Sequence, residues 1–145
     1  MKTLLLSKTF PAGHRVAGNQ THFLAQAMKG SKRHTIRSNA NGHYKDGDVV
    51  EIRQWSAKPY RSPQDRTGLV FRIGIEPVTL VLHSGGLTAS VNGAPVSSRR
   101  LAMNDGLDLD DFIDWFFPGR KPGTFIGDIL HFTSFRYSKG TNEKA

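Results

Sequence analysis

The chain has 145 residues, no cysteine and a formal net charge of +8, with a pI near 10.1. That length most simply makes one domain with a core of its own. The lack of cysteine removes disulfides and thiolate metal sites, and makes the cytoplasm the expected location. No run approaches the roughly 20 apolar residues that span a membrane, and Met1 to Leu6 breaks at Ser7-Lys8, too early for a signal peptide, so no membrane partner is expected. A charge this basic gathers polyanions: nucleic acid, a nucleotide or an anionic surface.

In chain order, Lys2 to Leu6 reads as a short strand, followed by a polar, glycine-marked loop from Phe10 to Gly18. Asn19 or Thr21 is placed to cap a helix over about 22–29, with Phe23, Leu24, Ala27 and Met28 as its apolar stripe and Gly30 as its stop. A dense basic stretch follows, Gly30-Ser31-Lys32-Arg33-His34-Thr35-Ile36-Arg37, read as a loop leading towards a strand. Turns at 39–42 and 45–48 lead into Val49–Trp55, where Val50 and Ile52 alternate with Glu51 and Arg53, the period of a half-buried strand.

Residues 56–67 read as a long polar connection. Alternation returns with Leu69, Phe71, Ile73 and Ile75 on one face and Arg72 and Glu76 on the other, is interrupted at Pro77, and resumes with Val78, Leu80 and Leu82. Asn92-Gly93 is a strong hairpin signal because both residues tolerate positive φ; the hairpin over 87–98 reads as a possible insertion on the main sheet. Asp108 caps a second helix with Phe112, Trp115 and Phe116 on its apolar face, and two acids in its first turn suit the helix dipole. A closing strand is expected over 125–137 and a flexible tail over 138–145. The whole predicts one α+β domain over 1–137, a small curved or closed β-barrel with two helices packed at its ends.

The basic stretch admits three readings. In the first, Lys32, Arg33 and Arg37 are a solvated face; in the second, Arg37 with Lys32 grips a phosphate; in the third, Lys32 and Thr35, three residues apart, share a pocket in which a desolvated lysine activates a hydroxyl, helped by the charge of Arg33. An acidic turn, Asn104-Asp105-Gly106, offers a third member if the fold brings Asp105 to Lys32; otherwise it is an ordinary Asx turn. Trp55 and Tyr60 beside Lys58 combine stacking surface with charge, as single-stranded nucleic acid requires, or else pack the core and the loop. Phe10 and His14 are expected at the pocket edge. The six histidines show no metal-binding spacing, so neither metal nor cofactor is expected.

The pattern Gly30-x-Lys32-x-x-Thr35-Ile36-Arg37, then Gly47-Asp48-Val49-Val50 opening a strand, then Asn104-Asp105-Gly106 before a helix ending in Trp115-Phe116, resembles the signature of ASCH domains, relatives of the PUA RNA-binding fold. The resemblance covers about residues 20–135. It implies a PUA-like barrel, and it implies either RNA binding or the chemistry of small bacterial N(4)-acetylcytidine amidohydrolases, with Lys32 and Thr35 in the Lys and Thr positions. Asp105 takes the place of an acidic residue that is Glu in those enzymes. Arg33 and His34 fill variable positions of the pattern and, with Arg37, are expected to face the RNA or nucleoside. A non-catalytic RNA-binding module, a ribonuclease and a protein-interaction adaptor stand as alternatives.

Overall fold

The computed structural model describes residues 1–138, so all of the expected tail except Ser138 lies outside the described residues. The elements are β1 (Lys2–Leu5), α1 (Phe23–Lys29), β2 (His34–Arg37), β3 (Val49–Trp55), β4 (Gln64–Arg72), β5 (Gly74–His83), β6 (Gly86–Val91), β7 (Ala94–Val96), α2 (Ser98–Asn104), α3 (Leu109–Phe116) and β8 (Gly123–His131), with a 3₁₀ turn at Pro118–Arg120 between the last two. The α+β class holds. The strands form a three-stranded sheet, β1-β3-β4, and a five-stranded sheet, β2-β8-β5-β6-β7; among the described residues no ladder joins them into one closed barrel. Both sheets and all three α-helices contribute to a single apolar cluster that includes Leu4, Ile52, Leu80, Leu101, Phe112 and Ile129, each inaccessible to solvent. Each such side chain stabilises the fold by roughly 1.5–3 kcal/mol relative to exposure. No helix among the described residues is long and apolar enough to cross a membrane.

β1 runs parallel to β3, and all other strand pairs are antiparallel. The final strand does not close an edge: β8 lies between β2 and β5, and it stops at His131 instead of reaching Tyr137. The hairpin turns at Asn92 and Gly93, both with positive φ, but it is no ornament, because β6 pairs with β5 along its length. The polar connection after Trp55 ends earlier than its composition suggests, since 64–66 already pair with β3. Pro77 does not break β5: its carbonyl accepts from the Asn92 N–H, and the ladder to β6 begins one residue later, at Val78. Glu76 falls on the buried face with Val78 and Leu80 rather than on the solvent face.

Among the described residues three α-helices, α1 to α3, stand where two are expected. The additional one, α2, is capped by the Ser97 hydroxyl, which accepts from the Arg100 N–H. Its buried residues Leu101 and Ala102 are adjacent, so no three-to-four spacing betrays a helix. In α3, Asp108 caps as expected, accepting from the Asp111 N–H. In α1, the residue before the helix is His22 in a left-handed conformation, and the Thr21 hydroxyl accepts from the Phe23 N–H. Met28 stands 64% exposed, so the stripe of α1 is Phe23 and Ala27, with Leu24 partly buried.

Candidate functional site

The basic stretch divides at His34. Gly30 to Arg33 form the turn after α1, while His34 to Arg37 form β2, an edge strand covered on both faces. Gly30 ends α1 with φ of 90°, and Gln26 then ties the turn down, its carbonyl accepting the N–H groups of Ser31 and Lys32. The Gln26 side chain reaches across to the carbonyl of Gly106 at 3.1 Å. This clasp sets the α1–β2 turn against the α2–α3 turn, and Lys32 meets Asp105 there.

Lys32 is 1% exposed. Its Nζ donates to the main-chain carbonyl of Asp105 at 2.6 Å, lies 3.5 Å from Asp105 Oδ1, and sits 4.1 Å from the centre of the Phe23 ring. Burial drives the amine down to a pKa of about 8; Asp105 opposes this, and the nearby charge of Arg37 reinforces it. The neighbouring cation is therefore Arg37. Arg33 is exposed and turned aside, its guanidinium 5.8 Å from the Phe135 ring.

Lys32, Thr35, Arg37 and Asp105 line one cavity of about 150 Å³, walled on its apolar side by Leu6, Phe23, Trp115 and Phe116. The Thr35 hydroxyl makes no hydrogen bond to another described residue and is left to the cavity. Arg37 is largely buried and donates to the carbonyl of Leu5, which fixes β2 to the end of β1. Leu6, Ser7 and Arg37 are also walls of a wider groove of about 470 Å³ that runs past Phe10, Trp55 and Tyr60. The Trp55 and Tyr60 rings lie 5.2 Å apart, with Tyr60 85% exposed.

The remaining expected residues lie elsewhere. Lys58 is exposed and lines neither space; its carbonyl accepts from the Ser62 hydroxyl and helps shape the loop. His14 is not at the pocket edge but buried against Phe10 and Trp115, with ring centres at 4.6 and 6.3 Å. Its Nδ1 accepts from the Val16 N–H and its Nε2 donates to the Asp111 carbonyl. Arg15 adds ion pairs to Asp111 and Asp114, each at 2.6 Å. The 10–18 loop is thereby strapped to α3, and His14 is a strut.

His34 is fully buried behind Asp105 rather than facing the cavity. Its Nδ1 bonds Asp105 Oδ1 at 3.1 Å and its Nε2 bonds the Tyr137 hydroxyl at 2.7 Å, where Asn104 Nδ2 also donates at 2.9 Å. Burial lowers the His34 pKa and raises that of Tyr137, so the imidazole is neutral and the phenol protonated. Next to it His131, held neutral by burial at a pKa of about 4, bonds Glu76 at 2.8 Å. With both nitrogens of His14 and of His34 engaged, neither is free to ligate, and among the described residues no three His, Asp or Glu side chains converge as a metal site would require. Sequence spacing gives no sign of Phe23, Tyr137 or His131 at this centre, and names Asn104 only as part of the acidic turn; their contacts arise through long-range packing.

The turn that carries Asp105 depends on Gly106, whose φ is +89°. A Cβ there would stand 3.4 Å from Lys32 Cβ and Cδ and 3.1 Å from Gln26 Oε1. Gly106→Ala should therefore cost about 1–2 kcal/mol, read as a lowered urea midpoint, and should displace Lys32. An unchanged midpoint would show that the turn relaxes freely.

Comparison with known proteins returns no match: no family model, no curated protein and no solved structure is significantly similar to this chain.

Proposed function

We propose that this chain is an amidohydrolase of the ASCH type that removes the acetyl group from N(4)-acetylcytidine or a closely related modified cytidine. With this goes the finer fold reading, a PUA-like small curved or closed β-barrel with helices packed at its ends. The observation that carries it is Lys32: an amine with a pKa of about 8, buried beside Asp105 and lining the same cavity as an unengaged threonine hydroxyl. A lysine held near neutrality in a cavity is what proton abstraction at physiological pH requires.

In this reading the neutral Lys32 amine takes the proton of the Thr35 hydroxyl as Oγ1 adds to the acetyl carbonyl. The oxyanion forms beside the Arg37 guanidinium, which the Leu5 carbonyl holds in place. The C–N bond then breaks as the Lys32 ammonium returns its proton to the departing cytosine amine, leaving an acetyl ester on Thr35. Water, deprotonated by Lys32, adds to that ester; the Thr35 oxygen leaves with the proton returned by the Lys32 ammonium, and the acetic acid released loses its proton to solvent as acetate. Asp105 supports the ammonium at each stage; one methylene shorter than Glu, its carboxylate still reaches to 3.5 Å. The base and ribose extend towards the groove past Arg37.

The test is incubation of the pure protein with N(4)-acetylcytidine while absorbance reports formation of cytidine. No turnover at high enzyme concentration would defeat the proposal. A rapidly quenched reaction should also yield protein carrying one acetyl group on Thr35; turnover without that adduct would transfer the attack to water.

A second reading, a single-stranded RNA-binding module, is favoured by the groove itself, where Phe10, Trp55 and Tyr60 accompany Lys8 and Arg37. Base stacking on an aromatic ring contributes about 1–3 kcal/mol, so Tyr60→Ala should weaken oligoribonucleotide binding by about 5- to 150-fold, measured by fluorescence anisotropy at fixed salt. In a pure binder Lys32→Ala should also lose affinity, whereas in the enzyme it should spare nucleoside binding and abolish turnover. Degradation of the oligonucleotide during such titrations, lost in Lys32→Ala, would instead indicate a ribonuclease.

A further inference from the structure

We propose that His34 is a positioning residue that holds the Asp105 carboxylate off Lys32 and so keeps the amine available as a base. The inference rests on the proposed catalytic role of Lys32, but its geometry stands independently. Asp105 presents two different acceptors to its neighbours. Its main-chain carbonyl takes the hydrogen bond of Lys32 Nζ at 2.6 Å, while its Oδ1 stays 3.5 Å from that nitrogen and accepts from His34 Nδ1 at 3.1 Å. A carboxylate free to rotate would close on the ammonium and form a tight buried ion pair, which fixes a lysine in its charged form.

His34 prevents that closure only if its Nδ1 carries the proton, and the surrounding bonds dictate this. Asn104 Nδ2 donates to the Tyr137 oxygen at 2.9 Å, which directs the phenolic proton to His34 Nε2 at 2.7 Å and leaves Nδ1–H for Asp105. The chain from Asn104 through Tyr137, His34 and Asp105 to Lys32 thus has a single direction of donation up to the carboxylate. The charged or titratable groups against Lys32 are Asp105 from the end of α2 and Arg37 and His34 from β2. Those against His34 are Asp105, Tyr137 and the neutral His131 of β8, whose ring centre is 5.5 Å away.

The test titrates Lys32 directly, by NMR of its ¹³Cε in protein labelled at lysine, with no substrate present. His34→Asn leaves an amide N–H near the position of Nδ1, whereas His34→Gln extends past it to the position of Nε2. In His34→Gln the Lys32 midpoint should rise by about one unit or more, and kcat/KM at neutral pH should fall about tenfold and recover at higher pH, with KM little changed. His34→Asn should stay within about 0.3 units of the parent, a difference well under one unit's 1.4 kcal/mol. Tyr137→Phe, which removes the hydroxyl that sets the tautomer, should move the midpoint the same way by less, and it decides the matter if His34→Gln does not fold. An unshifted midpoint in the folded variant overturns the inference even where deacetylation is observed. A shifted midpoint sustains it even where N(4)-acetylcytidine is left intact, so its fate and that of the proposed activity are read separately.

Discussion

Lys32→Met should reduce kcat for deacetylation of N(4)-acetylcytidine by about 10³-fold, within the range for loss of a positioned general base, with KM little altered. Methionine keeps the length and apolar contacts of the side chain over Phe23 and deletes only the amine. In the parent protein kcat/KM should rise with pH as the ammonium loses its proton and level off above a pH of about 8. A parallel loss of binding and turnover would point to a structural or phosphate-gripping role instead.

The same amine leaves a mark on stability. Its folded pKa lies below the unfolded value of 10.5, so between the two the unfolded chain binds more protons and stability increases with pH. The cost of holding the ammonium is present in full below the folded pKa of about 8 and is relieved as pH rises through the window up to the unfolded value. Relative to Lys32→Met, the parent should gain roughly 3 kcal/mol across that window, measured as the difference in urea unfolding free energy at its two ends.

Glu76→Ala should be the most destabilising single substitution near the site, by about 3–5 kcal/mol. Glu76 is 3% exposed and lies where five donors converge. Oε1 accepts from His131 Nε2 at 2.8 Å and the Tyr137 N–H at 2.9 Å. Oε2 accepts from Asn92 Nδ2 at 3.1 Å, the Ser138 hydroxyl at 2.7 Å and the Ser138 N–H at 3.3 Å. Burial alone would raise its pKa, but these bonds, led by the Ser138 hydroxyl, outweigh burial and lower it. Its contribution is therefore present above the unfolded value of 4.5 and is lost as pH falls through the lower folded value. Urea unfolding at neutral pH reads the loss, and in acid the gap between parent and variant should narrow. Equal stability of the two proteins at neutral pH would mean that water replaces the carboxylate.

The sequence is informative where a local rule decides the structure. Asp108 caps α3 because a carboxylate before an amphipathic run satisfies free N–H groups, and Asn92-Gly93 turns because both residues accept positive φ. It is silent where the deciding contact is distant. Alternation placed Glu76 with the solvent-facing residues, since nothing nearby announces that Asn92, His131 and Ser138 will converge on it. At the candidate site, Lys32 and Thr35 stand out by residue type and proximity, and Asp105 through its turn and the family resemblance. His34, in contrast, read as one more basic residue of a loop, because its partners Asp105 and Tyr137 are 71 and 103 positions away. Phe10 and His14 were legible as a pair but not as to side: one reaches the groove, the other a strut under α3.

The parallel pairing of β1 with β3, like the still longer-range pairing of β2 with β8, delays completion of the cavity during folding. A hairpin such as β5–β6–β7 can form from neighbours in the chain, but Lys2 to Leu5 must wait for partners at Val50 to Arg53, beyond α1 and β2. Closing so long a loop is slow and gains little until the rest of the sheet exists. Leu6 and Ser7, which follow β1, wall both the cavity and the groove, and the Leu5 carbonyl anchors Arg37. Ligand binding should therefore be among the last properties recovered on refolding, well after most of the β-sheet signal has returned.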